Sequence, residues 1–489
     1  MIMLKVISSI TLVLSFGIYT NDWLSNKQKK SNTIAAHISK ASISSFFVED
    51  TPERNYANYC ASCHGEKMDM FVDRKWKHGN TEKDLFKAIK EGYHDEGMPG
   101  FDSAFTDKEI SELADYIITG IENVKRYDFK EPARSNIFKT ESLTLRLDTI
   151  AKGIAVPWGM AFLPNGELLV TDRGGKMYRV TKTKILQEIS GVPEVVAQGQ
   201  GGLLDVALHP NFKNNKFVYL SYSIGKKSGD KILATTGITR AVLNGNTLTQ
   251  HKLIFEALPY TTTRHHYGSR FQFGRDGTLF ISVGDRGNHN EFGQSLDKHP
   301  AKVHRIKDDG SIPADNPFVN TPGALASVYS YGHRNIQGMT IHPKTGEIWS
   351  NEHGPRGGDE INIIEKGKNY GWPAISYGLN YNGKVLTKNT LMQGMEQPLH
   401  YWIPSIGPSG MAFITGNKYK GWNGHLLVGS LRFKYLNLCK IQGNKVVKEE
   451  ILLKNIGRLR DVRMSPDGYI YVSVENPAGS IFRLVPLNR

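Results

Sequence analysis

The chain has 489 residues, enough for two or three domains, and it contains 49 glycines and 42 phenylalanines and tyrosines (21 of each). This composition favours a turn-rich β protein over a helical one. The net charge of +14 is compatible with an anionic partner, but no basic stretch is interleaved with aromatic residues, which argues against a nucleic-acid-binding protein. Only three cysteines are present, and two of them share one short motif, so a disulfide scaffold is excluded.

The N-terminal residues 1–24 predict a signal peptide or a membrane anchor. Lys5 precedes an apolar run from Val6 to Tyr19, and a polar stretch follows. That run is short for a membrane span and long enough for the core of an export signal. Because no clear cleavage pattern follows it, an uncleaved anchor is the alternative. We therefore predict a periplasmic location, with a linker over residues 25–45.

A small all-α unit is predicted over residues 46–125, and it carries Cys60-Ala61-Ser62-Cys63-His64. This C-x-x-C-H pattern is the attachment motif of haem c, in which the two thiols bind the haem vinyl groups and the histidine ligates the iron. A zinc site would need further ligands, and a thioredoxin-like pair would need a βαβ context. The motif therefore predicts a c-type cytochrome domain, and this attachment chemistry takes place outside the cytoplasm.

The second axial ligand of the haem is predicted to be Met98. It stands in Glu96-Gly97-Met98-Pro99-Gly100, a segment that resembles the distal loop of small class I cytochromes c. A thioether ligand suits an electron-transfer cytochrome, and His94 is the competing candidate. Thr106 and Glu109 then have the spacing of a capping box, which predicts the start of a final helix. Residues 126–143 are predicted to be a second linker.

From residue 144 onward, short β-rich runs alternate with Gly, Asn and Asp turns. A hairpin turn followed by a strand occurs six times. Repeats of this kind predict a radial array, because each blade needs neighbours to cover its faces. The sequence therefore predicts a mainly β protein, with a six-bladed β-propeller over residues 144–489. The six copies are LPNGELLVTD, HPNFKNNKFVYLSY, GRDGTLFISVGD, HPKTGEIWSNE, WNGHLLVGS and SPDGYIYVSVE.

Eight segments of the propeller resemble the family of soluble glucose dehydrogenases and aldose sugar dehydrogenases that use pyrroloquinoline quinone (PQQ). Each segment is weak alone, and their joint occurrence in this order carries the resemblance. It implies oxidation of an aldose at the anomeric carbon, with hydride transfer to PQQ. The segments are VPWGMAFLPNGELLVTDR, GQGGLLDVALHPNF, HHYGSRFQF, GHRNIQGM, EHGPRGGDEIN, KNYGWP, PSIGPSGMAF and GRLRDVRMSPDG.

The resemblance implies three residues around the reacting sugar. His266 matches the family's catalytic base, which is a role that a neutral imidazole can fill near neutral pH. Asp285 matches the carboxylate that orients this histidine, and Gln200 matches a residue beside the sugar and the base. Without the surrounding motif, a histidine next to another histidine would be read as structural.

Several residues are implied to bind the tricarboxylate cofactor, for which guanidinium groups are well suited. Arg334 and Asn335 match the pair that contacts the quinone, and we expect Arg334 to act in the reaction as well. Arg458 and Arg460 lie two residues apart, so a strand would place them on the same side. Ser405 stands where the family usually has threonine, and Arg432 stands where the glucose dehydrogenases have lysine.

A calcium ion is implied at Gly354-Pro355, where main-chain carbonyl oxygens would act as ligands. A tight turn is the alternative interpretation of this pair. His353 stands where the soluble glucose dehydrogenases have glutamine, and His-Gly-Pro is typical of the aldose sugar dehydrogenase branch. This departure argues for use of several aldoses rather than a glucose preference.

Joining the two domains predicts a quinohaemoprotein, in which electrons pass from PQQ to haem c and then to a downstream acceptor, such as a respiratory-chain component or a soluble cytochrome. Tethering would raise the effective concentration of the haem near the quinone. The alternatives are a propeller oxidoreductase for another aldehyde or alcohol, a calcium-dependent lactonase, and a binding module without activity. A lactonase would need neither the arginines at 458 and 460 nor a haem partner.

Overall fold

A computed structural model describes residues 51–60, 64, 76–126, 135–378, 386–403, 405–475 and 479–487. The chain divides into two compact units, residues 1–55 and residues 56–489. In the first unit, the described part contains one helical turn, Pro52–Asn55. The predicted signal or anchor and the linker over 25–45 lie outside the described residues. Within the described residues, no helix has the length and apolar character needed to span a membrane.

The N-terminal part of the second unit is helical, as predicted. Its elements are the π-helical turn Tyr56–Cys60, the helix Glu82–Glu91, the 3₁₀ turn His94–Glu96 and the helix Asp107–Arg126. The predicted capping box is confirmed, because the Thr106 amide donates to Glu109 Oε2 at 2.7 Å and the Glu109 amide donates to Thr106 Oγ1 at 3.3 Å. These bonds satisfy amides that the first helical turn leaves without partners.

The two longer helices pack on each other through a small apolar core. Ile110, Leu113 and Ile117 recur at helical spacing, and all three side chains are buried. Truncation of one such side chain to alanine costs about 2–5 kcal/mol of folding free energy. The same core contains Cys60, and Met98 packs against it while partly exposed. The cysteine predicted to attach haem and the methionine predicted to ligate it therefore share one cluster.

The propeller consists of six antiparallel sheets, which confirms the predicted fold. Two short helices, Phe212–Asn215 and His289–Phe292, lie in its loops. The strands are β1 Ile137–Lys139, β2 Thr144–Lys152, β3 Pro157–Phe162, β4 Leu168–Asp172, β5 Lys176–Val180, β6 Leu186–Glu188, β7 Leu203–Leu208, β8 Phe217–Ser228, β9 Lys231–Asn244, β10 Thr247–Glu256, β11 Phe271–Phe273, β12 Leu279–Val283, β13 Lys302–Ile306, β14 Val328–Tyr331, β15 Ile336–Ile341, β16 Ile348–Glu352, β17 Asp359–Ile364, β18 His400–Trp402, β19 Pro408–Phe413, β20 Leu426–Ser430, β21 Leu436–Gln442, β22 Lys445–Leu452, β23 Arg458–Met464, β24 Ile470–Glu475 and β25 Ser480–Pro486.

Five blades are built from four consecutive strands each, starting at β3, β7, β11, β15 and β19. The sixth sheet has the order β1-β2-β25-β24-β23, so it joins strands from the two ends of the propeller. Strand β2 pairs with β25 from Leu145, opposite Pro486, to Lys152, opposite Ser480. This pairing closes the ring.

The six repeated segments occupy the same place in every blade, which is the turn between the first and second strands. The second strands explain the apolar repeats, because all residues of β4, β12, β16 and β20 are buried. A strand buried on both faces reads as a continuous apolar run rather than as an alternation. Sequences such as Leu-Phe-Ile-Ser-Val in β12 follow from this stacking of blades.

The residues singled out in the sequence lie at the opposite edge of the blades from these turns. Gln200, His266 and Arg334 precede the first strands of three successive blades, whereas Asp285 and Gly354 follow second strands. In an antiparallel sheet, the start of one strand and the end of its neighbour meet at the same edge. The topology therefore places these side chains on one face of the propeller.

Candidate active site

His266 and Asp285 form a hydrogen-bonded pair on this face. His266 Nδ1 and Asp285 Oδ1 are 2.6 Å apart, and the side chains are 12% and 1% exposed. Asp285 also accepts hydrogen bonds from the Gly287 amide and from Trp372 Nε1, both at 2.8 Å. The carboxylate is therefore fixed from three directions. With Nδ1–H donated to it, the Nε2 atom of His266 carries the lone pair of the neutral ring.

The backbone around His266 adopts a left-handed conformation. His266 has a φ of 52°, Gly268 a φ of 63° and Ser269 a φ of 72°. Such angles are uncommon for residues with a side chain, and they concentrate at functional sites. The Gln200 side chain supports the loop, because the His266 amide donates to Gln200 Oε1 at 2.9 Å. A Cβ atom at Gly284 would lie 2.2 Å from the His266 carbonyl oxygen, so glycine is needed there.

The charges around the pair favour a neutral imidazole beside an ionised carboxylate. Burial lowers the pKa of His266, and the positive charge of Arg334 lowers it further, while Asp285 acts in the opposite direction. Burial alone would raise the pKa of Asp285, but the interactions with His266 and Arg334 outweigh burial and hold it below its usual value. At neutral pH the pair is therefore prepared to accept a proton at His266.

Arg334 approaches this pair from the next blade. Its backbone oxygen accepts the Asp285 amide at 2.8 Å, and its own amide donates to Glu352 Oε2 at 2.6 Å. The guanidinium donates from Nη1 to the His353 carbonyl at 3.2 Å and lies 5.2 Å from the ring centre of Trp372. Its position is thus fixed at both the main chain and the side chain.

Arg458 and Arg460 of β23 reach the same carboxylate, that of Glu475, although the strand has an irregular register between Leu459 and Asp461. The Arg458 Nε atom lies 3.2 Å from Glu475 Oε2, and Arg460 Nε donates to the other oxygen of the same carboxylate. Arg460 Nη1 also donates to Gln337 Oε1 at 3.2 Å. Burial lowers the pKa of Arg460 to about 10, so the group stays charged at neutral pH. One carboxylate thus faces two cations, which leaves positive charge for an anionic ligand.

Asn335 is buried and only partly satisfied. Its Oδ1 atom accepts the Gly268 amide at 3.1 Å and Gln337 Nε2 at 3.2 Å. Among the described residues, its Nδ2 atom has no hydrogen-bond partner. A buried donor without a partner is costly, and a ligand rich in oxygen acceptors would satisfy it. Together with the neighbouring arginines, this amide fits a compact polyanion such as PQQ.

Ser405, Arg432 and the Gly354-Pro355 pair lie together. Ser405 Oγ donates to the Pro355 carbonyl at 3.1 Å, and Arg432 Nη1 donates to the Ser405 carbonyl at 3.2 Å. A cavity of about 20 Å³ borders Gly354, Pro355 and Arg334, which is room for one water molecule or small ion. Within the described part of the chain, no group of three His, Cys, Asp or Glu side chains is arranged to hold a metal. The main-chain carbonyls of Gly354 and Pro355, and the carboxylates of Glu352 and Glu360 that border the same cavity, are oxygen ligands of the kind that suits Ca²⁺.

His353 links the residues around Asn335 to the segment that contains Ser405 and Pro408. Its amide donates to the Asn335 carbonyl at 3.1 Å, and its ring Nε2 bonds to the Pro408 carbonyl at 2.7 Å. Burial lowers the pKa of His353 to about 3, and the charges of Arg334 and Arg460 add to this effect. The charge of Arg334 also acts on His266, and His266 acts on His353, so these four side chains are close enough to interact electrostatically.

Three contacts at the site have no role in the sequence analysis. Trp372 holds Asp285, and Glu475 holds the two arginines of β23. Arg286 is fully buried and stacks on Tyr267, with 3.5 Å between Cζ and the ring centre. Trp372 lies in the KNYGWP segment that carries the resemblance, whereas Arg286 follows Asp285 outside the eight segments. Neither has a spacing that indicates its partner.

The segment of the predicted haem ligands forms a tight loop. The amides of Tyr93 and Met98 donate to each other's carbonyls, at 2.8 and 3.1 Å, and Gly97 closes the loop with a φ of 86°. His94 is exposed, whereas Met98 faces the apolar cluster that contains Cys60. This arrangement supports Met98 over His94 as the ligand. His64 is among the described residues, and Cys63 lies outside them.

Comparisons with known proteins agree with this architecture. Residues 154–483 match the model of the family described as Glucose / Sorbosone dehydrogenase, and residues 48–117 match the model described as Cytochrome C oxidase, cbb3-type, subunit III. The fold and the two matches define the class, which is a propeller dehydrogenase with an N-terminal cytochrome c domain. The chain belongs to the glucose/sorbosone dehydrogenase family, and the resemblance seen in the sequence is confirmed.

Individual relatives cover most of the propeller. The aldose sugar dehydrogenase YliI of Escherichia coli is 41% identical over 352 residues, which span 71% of this chain and 94% of the relative. The quinoprotein glucose dehydrogenase B of Acinetobacter calcoaceticus is 30% identical, over 68% of this chain and 85% of the relative. The structure of the PQQ-bound aldose sugar dehydrogenase of Streptomyces coelicolor is similar with a TM-score of 0.58 and 28% identity, and the match covers 73% of this chain and 99% of that chain.

Proposed function

We propose that this protein is a quinohaemoprotein that oxidises aldose sugars at the anomeric carbon with PQQ and passes the electrons to haem c. The observation that carries the proposal is the His266–Asp285 pair, with 2.6 Å between the bonded atoms, beside the buried guanidinium of Arg334. The names of the relatives, an aldose sugar dehydrogenase and a quinoprotein glucose dehydrogenase, support the substrate class and the quinone.

His266 is the proposed base. Its Nε2 atom takes the proton of the hydroxyl group on the anomeric carbon, and the Asp285 carboxylate stabilises the imidazolium that forms. Gln200 fixes the loop of the base through the His266 amide and would lie beside the sugar. Arg334 contributes positive charge where negative charge develops during the reaction.

The cofactor groups are assigned to the residues that fit them. When bound, PQQ supplies the two-electron acceptor for the hydride, with Ca²⁺ as a Lewis acid. Arg334, Arg432, Arg458 and Arg460 would hold the carboxylates, and Asn335 and Ser405 would contribute hydrogen bonds. The carbonyls of Gly354 and Pro355 would ligate Ca²⁺. Cys60 and Cys63 would attach the haem, with His64 and Met98 as axial ligands.

The remaining parts of the proposal concern location and electron exit. Haem attachment of this type and the N-terminal signal or anchor together support a periplasmic protein. The haem would be reoxidised by a one-electron acceptor, which is a respiratory-chain component or a soluble cytochrome. The departure at His353 supports use of several aldoses.

The environment of His266 predicts the pH below which kcat/KM falls, which is the acid limb of the pH profile. Only the neutral imidazole accepts a proton, and its pKa lies below the usual 6.5 because of burial and the charge of Arg334. We therefore expect kcat/KM for an aldose, measured with an artificial electron acceptor, to fall only below pH 6.5. Asp285→Asn should move this limb to still lower pH, because the carboxylate raises the pKa. A limb at or above pH 6.5 in the wild-type protein would contradict this assignment.

The proposed function is tested by stopped-flow spectroscopy of the haem band. The PQQ- and Ca²⁺-loaded protein is mixed with an aldose, and we expect the haem to become reduced in a first-order phase at low protein concentration. The same protein without PQQ is the control and should stay oxidised. If a dye is reduced by sugar while the haem stays oxidised, the relay is wrong. If neither is reduced across a panel of aldoses, the enzymatic assignment is wrong.

A further inference from the structure

Two segments next to the proposed haem ligands contact two loops next to the proposed quinone site. Tyr59 precedes Cys60, and its ring lies 4.3 Å from the guanidinium carbon of Arg356, which follows Pro355. Gly97 precedes Met98, and a Cβ atom placed on it would lie 3.2 Å from the Cβ atom of His265. The two contacts therefore involve two different loops of the propeller, and both loops lie next to the proposed quinone site.

The contact between Gly97 and His265 is supported by a hydrogen bond and by the neutral character of His265. Thr262 Oγ1 donates to Asp95 Oδ1 at 3.3 Å, which joins the loop of the base to the loop Tyr93–Met98. Burial lowers the pKa of His265 to about 2, so its ring is uncharged when it packs against Gly97. Its ring is also in edge contact with that of His266, with 4.6 Å between their centres.

Charges on the two sides are complementary. A polar cavity of about 220 Å³ lies between them, bordered by Asp95 and the Lys77–Glu96 ion pair on one side and by Lys231 and Arg264 on the other, so the carboxylate of Asp95 is the unbalanced charge that faces the two cations. Opposite charges across such a gap favour one orientation of docking. The cavity also borders Gly199, the neighbour of Gln200, so it lies next to the loop of the proposed sugar site.

We propose that the cytochrome segment docks on the rim of the quinone site through Tyr59 and the loop Tyr93–Met98, and that Arg356 is the positioning residue of this intramolecular interface. This inference rests on the proposed function, and it adds the place where electrons leave the propeller. Arg356 joins the proposed calcium-site loop to the proposed haem-attachment segment by a cation–π contact.

The electron balance of the step fixes what the interface must do. Oxidation of one aldose to a lactone releases two protons and two electrons, and the first proton is taken up by His266. The single iron accepts one electron at a time, from Fe(III) to Fe(II). A one-electron acceptor, such as a soluble c-type cytochrome, must reoxidise it between the two transfers. The docked position therefore has to leave the iron accessible to an outside partner.

The test separates electron transfer to the haem from sugar oxidation. In the PQQ- and haem-loaded full-length protein, Arg356→Met combined with Thr262→Val is expected to slow haem reduction by aldose about 3- to 10-fold, while dye reduction changes less than twofold. The matched control is Arg240→Met, because Arg240 lies 4.2 Å from the ring centre of Phe217 in another blade. This control should leave both rates unchanged.

A second readout does not depend on turnover. In the PQQ-free protein, hydrogen exchange of peptides that cover residues 56–60 and 93–98 should become faster in the double variant and stay unchanged in Arg240→Met. Unchanged exchange together with unchanged haem reduction would overturn the proposed interface. If the wild-type protein does not reduce the dye with any aldose, the proposed function is contradicted instead. Failure of the interface and failure of the proposed function are therefore distinguishable.

Discussion

His266→Gln is expected to lower kcat/KM for an aldose by about 10²–10⁴-fold, because the site loses its proton acceptor. Glutamine is similar in size and can donate an amide hydrogen to Asp285, so the loop geometry and the 2.6 Å pairing position are largely retained. What it lacks is an atom that accepts a proton at neutral pH. Steady-state kinetics with an artificial acceptor measure the effect, with PQQ binding and haem content checked in the same sample.

The chain offers a matched control for this variant. His209 is also paired with a carboxylate, with 3.3 Å between Nε2 and Asp308 Oδ2, and its side chain is similarly buried. It lies in blade two, next to the turn that precedes β8 and at the edge opposite the site. His209→Gln should retain wild-type turnover. Equal turnover of His266→Gln and wild type would show that another group is the base.

Arg334→Gln is expected to raise the PQQ concentration needed for half-maximal reconstitution about 10- to 100-fold. A hydrogen bond to a charged group is worth about 1.5–3 kcal/mol, and a buried cation facing a carboxylate contributes at the upper end. The variant should also move the acid limb upward, because Arg334 lowers the pKa of His266. Titration of the apo-protein with PQQ, followed by absorbance and dye reduction, measures both effects.

A loss of folding could imitate this result, and a second arginine separates the two. Arg305 is also largely buried and ion-paired, with Asp276 at 2.7 Å and Asp315 at 2.9 Å, but it lies on strand β13 away from the site. Arg305→Gln should lower the unfolding temperature without changing the PQQ titration. If Arg334→Gln lowers the unfolding temperature but binds PQQ like wild type, its assignment as a cofactor residue is wrong.

The blades could be predicted because their information is local. Each repeat contains a turn and the strand that follows it, and burial of that strand on both faces leaves an apolar run in the sequence. Ring closure could not be predicted in this way. The partner of β2 is β25, more than 300 positions later, and nothing in the residues of Thr144–Lys152 specifies that pairing.

The site residues divide in the same way, into those that the local sequence indicates and those that depend on partners far along the chain. His266, Arg334 and Arg458 stand in segments whose order carries the family resemblance, so they could be identified as candidate site residues from the sequence. The hydrogen bond from Trp372 to Asp285 crosses 87 positions, and an indole in a Gly-Trp-Pro segment reads equally well as a core residue. The left-handed backbone conformation at His266 could not be predicted either, because a histidine in a sequence does not by itself indicate a positive φ angle.

The strand that closes the ring has a consequence for how the two domains can be separated. Leu145 and Leu147 of β2 are buried in the core of the last blade, and β2 covers the edge of β25. A cut ahead of Ile137 would separate the cytochrome segment and leave that edge protected. A cut beyond Lys152 would instead expose an unpaired strand, which is a template for aggregation. The safe excision point for the cytochrome is therefore set by the architecture of the propeller.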